Sequence, residues 1–265
     1  MKKLEVNILS NEEITQGIYS MTIHSPEMAG QARPGQFVSL YTKDPSRLLP
    51  RPISICGYDT EKGTIRLVFR VAGAGTAEFA CLTAGMTISV VGPLGNGYDI
   101  NELNETSGDA PLTVVGGGIG IPPMLGLCKA YKDAYPSAKI NAVLGYRSND
   151  TFLDEDFKAY ADVFYSSDDG SIGTHGNVID CIKENAVESG VLCACGPMPM
   201  LRGLVGYAKE NTKKAFVSLE EKMACGIGAC LACVTKTKEK DAHSQVNNAR
   251  ICKEGPVFDA DVLDI

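Results

Sequence analysis

Residues 1–104 read as short apolar-rich strands separated by turns. Leu4–Ser10, Gly17–His24, Gln36–Tyr41, Ile65–Val71 and Thr87–Val91 are the clearest runs, with Pro34-Gly35, Lys62-Gly63 and Ala84-Gly85 as punctuation. Regularly spaced short strands with little helical patterning predict a β-barrel. Around Asn104–Ala110 the pattern turns polar, which predicts a domain boundary. Residues 105–217 then alternate between strands and helices. Strands are expected at Leu112–Val115, Ile140–Gly145, Val163–Ser166 and Val191–Cys195. Helices are expected from Pro122 or Pro123, over Phe152–Tyr160, over Gly176–Asn185 and over Met198–Glu210. That alternation predicts an α/β domain with a doubly wound parallel sheet. Residues 218–265 form a third, small segment dominated by cysteines.

Composition narrows the class. A chain of 265 residues, 44% hydrophobic and 22% charged, suits two globular domains and an appendage. A net charge of −7 argues against a nucleic-acid partner, which requires a basic face. The uncharged stretch Pro111–Cys128 has the length of a membrane span, but its five glycines and Pro122-Pro123 would break a helix in lipid. It reads as a buried strand and a tight turn, so no membrane span is expected. Behind Met1-Lys2-Lys3, the residues Glu5, Asn7 and Glu12 leave no apolar core for an export signal. A cytoplasmic, reducing location is therefore expected. There Cys56, Cys81, Cys128, Cys181, Cys193 and Cys195 serve by default as small hydrophobes.

The other four cysteines are patterned. Cys225, Cys230, Cys233 and Cys252 stand in the spacing C-x4-C-x2-C…C, by which plant-type ferredoxins hold a [2Fe–2S] cluster. Gly226 and Gly228 let such a loop curl and turn its N–H groups toward sulfur. A zinc site is the alternative, although zinc usually takes two separated C-x2-C knuckles or a histidine.

Gly116-Gly117-Gly118-Ile119-Gly120-Ile121-Pro122-Pro123 follows the first strand of the middle domain. Glycines there allow a pyrophosphate close to the backbone, and the following helix offers unpaired N–H groups. Ile121 breaks the strict G-x-G-x-x-G pattern, and a purely structural strand–helix turn is the alternative. Cys195-Gly196-Pro197 closes another strand, which in a parallel sheet opens onto the same crevice. Cys195 either sits near a nicotinamide or fills a strand end. Asp168 and Asp169 would repel a 2′-phosphate and accept a hydrogen bond from a free ribose hydroxyl, favouring NAD over NADP. An Asp-Gly turn is the simpler reading of the same residues.

In this order of segments the chain resembles the ferredoxin–NADP reductase superfamily, and within it the electron-transfer subunits of dihydroorotate dehydrogenase B. The resemblance spans nearly the whole chain. It implies that Arg51-Pro52-Ile53-Ser54 is the flavin signature, Arg51 pairing with the FAD pyrophosphate and Ser54 lying near the ring. Val68-Phe69-Arg70 and Gly75-Thr76 match further FAD contacts, and Gly92-Pro93-Leu94-Gly95 matches the turn that closes the barrel. Gly118, Gly120 and Pro122, with Cys195-Gly196-Pro197, match the nicotinamide-nucleotide turns. The chemistry of arginine, a bidentate phosphate ligand, agrees.

The resemblance also implies a catalytic partner subunit that oxidises dihydroorotate on its own FMN, in a heterotetramer. Electrons would pass through the cluster and FAD to NAD+ in pyrimidine biosynthesis. The small flavin subunits of sulfide dehydrogenase and transhydrogenase complexes look similar and supply the alternative, a reductase module for another partner. They carry aspartate at the first ligand position, where this chain has Cys225. One departure from the family pattern is the eighteen-residue interval between Cys233 and Cys252, with its polar run Lys236–Asn248. A long polar loop between ligands is tolerated.

Overall fold

The computed structural model of the chain describes residues 2–240 and 245–265, so part of the polar run Lys236–Asn248 lies outside the described residues. Six strands close into the expected barrel. They are β1 (Leu4–Thr15), β2 (Ile18–His24), β3 (Phe37–Tyr41), β4 (Arg51–Asp59), β5 (Thr64–Arg70) and β6 (Thr87–Leu94). Their order around the barrel is β1-β2-β5-β4-β3-β6, and every pairing is antiparallel. Met21, Ile23, Val38, Leu40, Ile65, Leu67 and Phe69 pack its interior. Since successive strand residues face opposite sides, Phe37 and Ser39 of β3 point outward. Strand β4 escapes the pattern reading because Pro52 lacks a ladder donor, yet Pro52 stands opposite Ser39 in register.

Short helices α1 (Pro26–Ala29) and α2 (Ala74–Ala80) belong to the barrel segment, and α3 (Ile100–Ser107) follows it. The polar stretch after residue 104 therefore continues a helix. Its start is capped by Asp99, which accepts from the N–H groups of Asn101 and Glu102. Leu103 carries this helix into the core of the following domain.

That domain runs β7 (Leu112–Gly117), α4 (Ile121–Ala134), β8 (Ile140–Tyr146), α5 (Asp154–Lys158), β9 (Asp162–Ser167), β10 (Thr174–His175), α6 (Val178–Glu184), β11 (Val191–Cys195), α7 (Met198–Asn211) and β12 (Lys214–Ser218). Helix α5 is shorter than its pattern because Phe152 and Leu153 turn into the core, with Leu153 left-handed at φ 63° just before it. The sheet order is β10-β9-β8-β7-β11-β12, all parallel. Chain order reverses between β7 and β11. Such a switch point leaves a crevice at the strand C-termini, where Gly116 stands beside Cys195.

The third segment forms a ribbon of β13 (Val234–Lys236) and β14 (Asn248–Arg250), then returns as β15 (Val257–Asp259). β15 pairs antiparallel with β12, so the parallel sheet becomes mixed at this edge. The segment also grips the barrel: the Asn96 amide donates to the carbonyls of Lys253 (2.9 Å) and Glu254 (3.1 Å). Phe37 and Leu94 share a core with Met223, Cys233, Ile251 and Cys252. Barrel and sheet meet closely as well, since a Cβ on Gly126 of α4 would lie 2.7 Å from the Cys56 carbonyl of β4.

Candidate functional site

Two cavities and the cysteine loop lie along one side of the junction between these three segments. The first cavity, about 570 Å³, opens between the barrel and the stretch leading into the cysteines. Of the expected flavin-motif residues, Arg51, Pro52, Ile53, Ser54, Val68, Phe69, Arg70 and Thr76 all line it. Gly75 does not; it lies buried behind Arg51, and a Cβ there would come within 2.1 Å of Arg51 Nε. A glycine is thus what lets the guanidinium lie across the start of α2. Thr76 Oγ1 accepts from the N–H groups of Ala72 (2.9 Å) and Gly73 (3.2 Å), which fixes the preceding turn. This cradle fits a flavin nucleotide: a fixed arginine for phosphate, and apolar walls from Val68, Phe69 and Ile53 for a ring.

The second cavity, about 470 Å³, lies over the C-terminal ends of β7, β8 and β9, with the turn after β11 on one side. Gly118, Asp168, Gly196 and Pro197 line it as expected. Gly120, Pro122 and Cys195 do not. Gly120 serves packing, since a Cβ there would stand 2.3 Å from the Cys195 carbonyl. Pro122 is buried in the first turn of α4. The Cys195 side chain has no solvent exposure, and its Sγ lies 3.9 Å from Glu220 Oε1. Burial pushes the Cys195 thiol well above its ordinary value, and Glu220 adds to the effect.

Arg70, Ile119 and Glu220 line both cavities and so mark where the two adjoin. Glu220 keeps an open face to the cleft, yet surrounding protein desolvates its carboxyl and raises its pKa against the pull of Arg70. Pattern reading missed Glu220 as a site residue. Its signal is positional: it follows the C-terminal end of β12, the edge that borders the crevice. Arg147, beside Asp168 in the second cavity, was missed likewise.

In the cysteine loop Gly226 (φ 69°) and Gly228 (φ 83°) are left-handed, which frees N–H groups to turn inward. Cys225 Sγ accepts from Ile227 (3.4 Å), Ala229 (3.3 Å) and Cys230 (3.4 Å), and Cys252 Sγ accepts from Gly228 (3.1 Å). Against burial, these donors and the Cys230 thiol bring the Cys225 thiol down to about 6. Burial and neighbouring Cys233 push Cys252 up to about 12. Arg250 holds the loop from outside, donating to the Gly228 carbonyl at 3.0 Å while Glu254 clamps its guanidinium.

Cys230 acts on Cys225, and both Cys233 and Cys225 act on Cys252, so the four thiols are neighbours. Four neighbouring cysteines whose sulfurs are met by loop N–H groups fit a [2Fe–2S] cluster.

Comparison with known proteins agrees with this geometry. Residues 5–98 match the oxidoreductase FAD-binding domain family, and residues 220–264 match the iron–sulfur cluster binding domain of dihydroorotate dehydrogenase B. The chain is 39% identical to a Listeria monocytogenes dihydroorotate dehydrogenase B (NAD(+)) electron transfer subunit, across the full length of both. The chain belongs to this family. The corresponding Fusobacterium nucleatum subunit is 37% identical, again over both full lengths. Among solved structures, an NADH-dependent reduced ferredoxin–NADP oxidoreductase superposes with a TM-score of 0.84 at 30% identity, covering 98% of this chain and 89% of that one. A ferredoxin–NADP+ reductase from Neisseria gonorrhoeae, with a TM-score of 0.63 at 18% identity over 79% of this chain and 92% of that one, shares the fold. The chain is thus an electron-transfer oxidoreductase subunit that uses FAD, an iron–sulfur cluster and NAD. Among the described residues no helix is long and apolar enough to cross a membrane.

Proposed function

We propose that the chain delivers electrons to NAD+ from dihydroorotate, which a partner subunit oxidises on its own FMN, in pyrimidine biosynthesis. The observation that carries this reading is the shared wall of Arg70, Ile119 and Glu220, which brings a flavin cavity and a nucleotide crevice into contact. Bound FAD supplies exchange between hydride and single-electron steps, and the [2Fe–2S] cluster supplies single-electron transfer.

The residues have distinct tasks in this reading. Arg51 holds the FAD pyrophosphate, with Gly75 giving it room and Thr76 fixing the turn beside it. Pro52, Ile53 and Ser54, with Val68, Phe69 and Arg70, bound the ring. Gly118, Gly196 and Pro197 seat the nicotinamide nucleotide, and Asp168 accepts from its free ribose hydroxyl. Glu220 stands on the wall that the two cavities share, with the Cys195 thiol buried behind it. Cys225, Cys230, Cys233 and Cys252 would hold the cluster. Cys230 is exposed, so the loop presents that end to a partner surface. The assembly is a heterotetramer, two copies of each subunit.

Co-expression with the dihydroorotate-oxidising subunit tests this reading. Dihydroorotate-dependent NAD+ reduction should need both chains, and the purified complex should have the mass of two copies of each. Bleaching of flavin and cluster by NADH without any response to dihydroorotate would favour a different redox partner.

A further inference from the structure

Ser39 lies on the outward face of β3, opposite Pro52 of the flavin cavity in one ladder and opposite Val91 in the other. Its neighbour on that face, Phe37, lines the flavin cavity and also packs in the core that contains Cys233 and Cys252. Ser39 is 1% exposed, and its hydroxyl has no hydrogen-bond partner. An orphaned buried hydroxyl is destabilising, and alanine would fill the same place without that cost.

The hydroxyl faces the cysteine loop. A Cβ on Gly226 would stand 3.0 Å from Ser39 Oγ, and Gly226 directly follows Cys225. Only a glycine lets the loop settle this close to the barrel wall. Four backbone N–H groups of the loop already donate to Cys225 and Cys252. Sulfurs of an iron–sulfur cluster become more negative on reduction, so each further donor favours the reduced form.

We infer that Ser39 donates a hydrogen bond from the barrel wall to a sulfur at the Cys225 end of the cluster. It thereby sets how readily the cluster accepts an electron relative to FAD. Ser39 is a positioning residue, not a ligand, and the inference rests on the cluster assignment made under the proposed function. Its place between the flavin cavity and the cysteine loop makes the FAD-binding barrel itself part of the cluster's surroundings.

The test is an EPR-monitored redox titration of the full chain in complex with its partner, comparing wild type with Ser39→Ala and Ser39→Thr. Ser39→Ala should keep its iron and FAD, while the cluster's reduction equilibrium moves about tenfold toward the oxidised form, ~59 mV for one electron. The FAD potential should stay in place, and Ser39→Thr, which keeps the hydroxyl, should restore the wild-type value. An unchanged cluster potential and unchanged g values in Ser39→Ala would overturn the inference. So would loss of the cluster that Ser39→Thr does not repair, which would mark Ser39 as a packing residue. Absence of an iron–sulfur signal from anaerobically prepared wild type would instead remove the cluster assignment, and this inference with it.

Discussion

Arg51 shows how one side chain depends on the absence of another. Its guanidinium lies where a side chain on residue 75 would be, 2.1 Å from an ideal Cβ position. Gly75→Ala must therefore displace Arg51 from the phosphate position. Hydrogen bonds to charged groups contribute about 1.5–3 kcal/mol, so FAD affinity should fall roughly ten- to hundredfold. Flavin titration of the variant checks this, with iron content unchanged; full affinity would show that Arg51 does not hold the phosphate. Arg51 and Ser54 are legible in sequence because they form a contiguous motif. Glu220 is not, since a glutamate gains meaning only when a strand end delivers it beside Arg70. Gly120 and Pro122 show the opposite case. Their residue types suit a phosphate turn, but Gly120 lies against the Cys195 carbonyl and Pro122 is buried in the first turn of α4.

Strand β15 is where local pattern has least to say and a long-range ion pair has most. Val257–Asp259 is three residues long, too short for periodicity to register, and it pairs with β12 from some forty positions away. Lys214 at the start of β12 joins Asp259 of β15 (3.1 Å) and Glu102 of α3 (2.6 Å), tying all three elements together. The Glu102 hydrogen bond, reinforced by Asp259 and opposed by burial, raises the Lys214 pKa. A raised lysine stabilises the fold fully below its unfolded value and loses that contribution as pH rises through the folded one. Lys214→Met should therefore melt lower than wild type at neutral pH, by about 1 kcal/mol or less for such a partly exposed cluster. The gap should close in strongly alkaline buffer. A difference in melting temperature that persists there would show that the effect is not carried by the ammonium charge, which also lies 4.8 Å from the centre of the Phe216 ring. The long, regularly alternating elements are legible because burial imposes period two or 3.6 on them. α3 and α5 are less so, because a cap at Asp99 and a left-handed Leu153 set their starts rather than hydrophobic periodicity.

Across the whole molecule the three sites follow one another in space. The nucleotide crevice adjoins the flavin cavity through Arg70, Ile119 and Glu220, and the flavin cavity is also lined by Glu221, Lys222 and Met223, which lead directly towards Cys225. On the proposed function NADH should reach the flavin without passing the cysteines, and the partner subunit should meet the cysteine loop first. Removing the iron should therefore separate two activities that share one protein. Cys233 and Cys252 belong to the core formed with Phe37 and Val217, and β15 pairs with β12 in the sheet, so the barrel and the sheet should stay folded when the iron is removed. Cys225→Ser is the sharper instrument, because it takes away a half-buried thiol and leaves the buried Cys233 and Cys252 in place. The variant should lose most of its iron and its visible absorption beyond the flavin bands while binding FAD as wild type. NADH should still bleach that flavin, at a rate within a fewfold of wild type, and dihydroorotate-dependent NAD+ reduction in the complex should disappear. Stopped-flow absorbance gives the first rate and steady-state NADH formation the second. If NADH reduction of the flavin were lost together with the iron, the order of sites would be different, and the cluster would stand on the nucleotide side of the flavin.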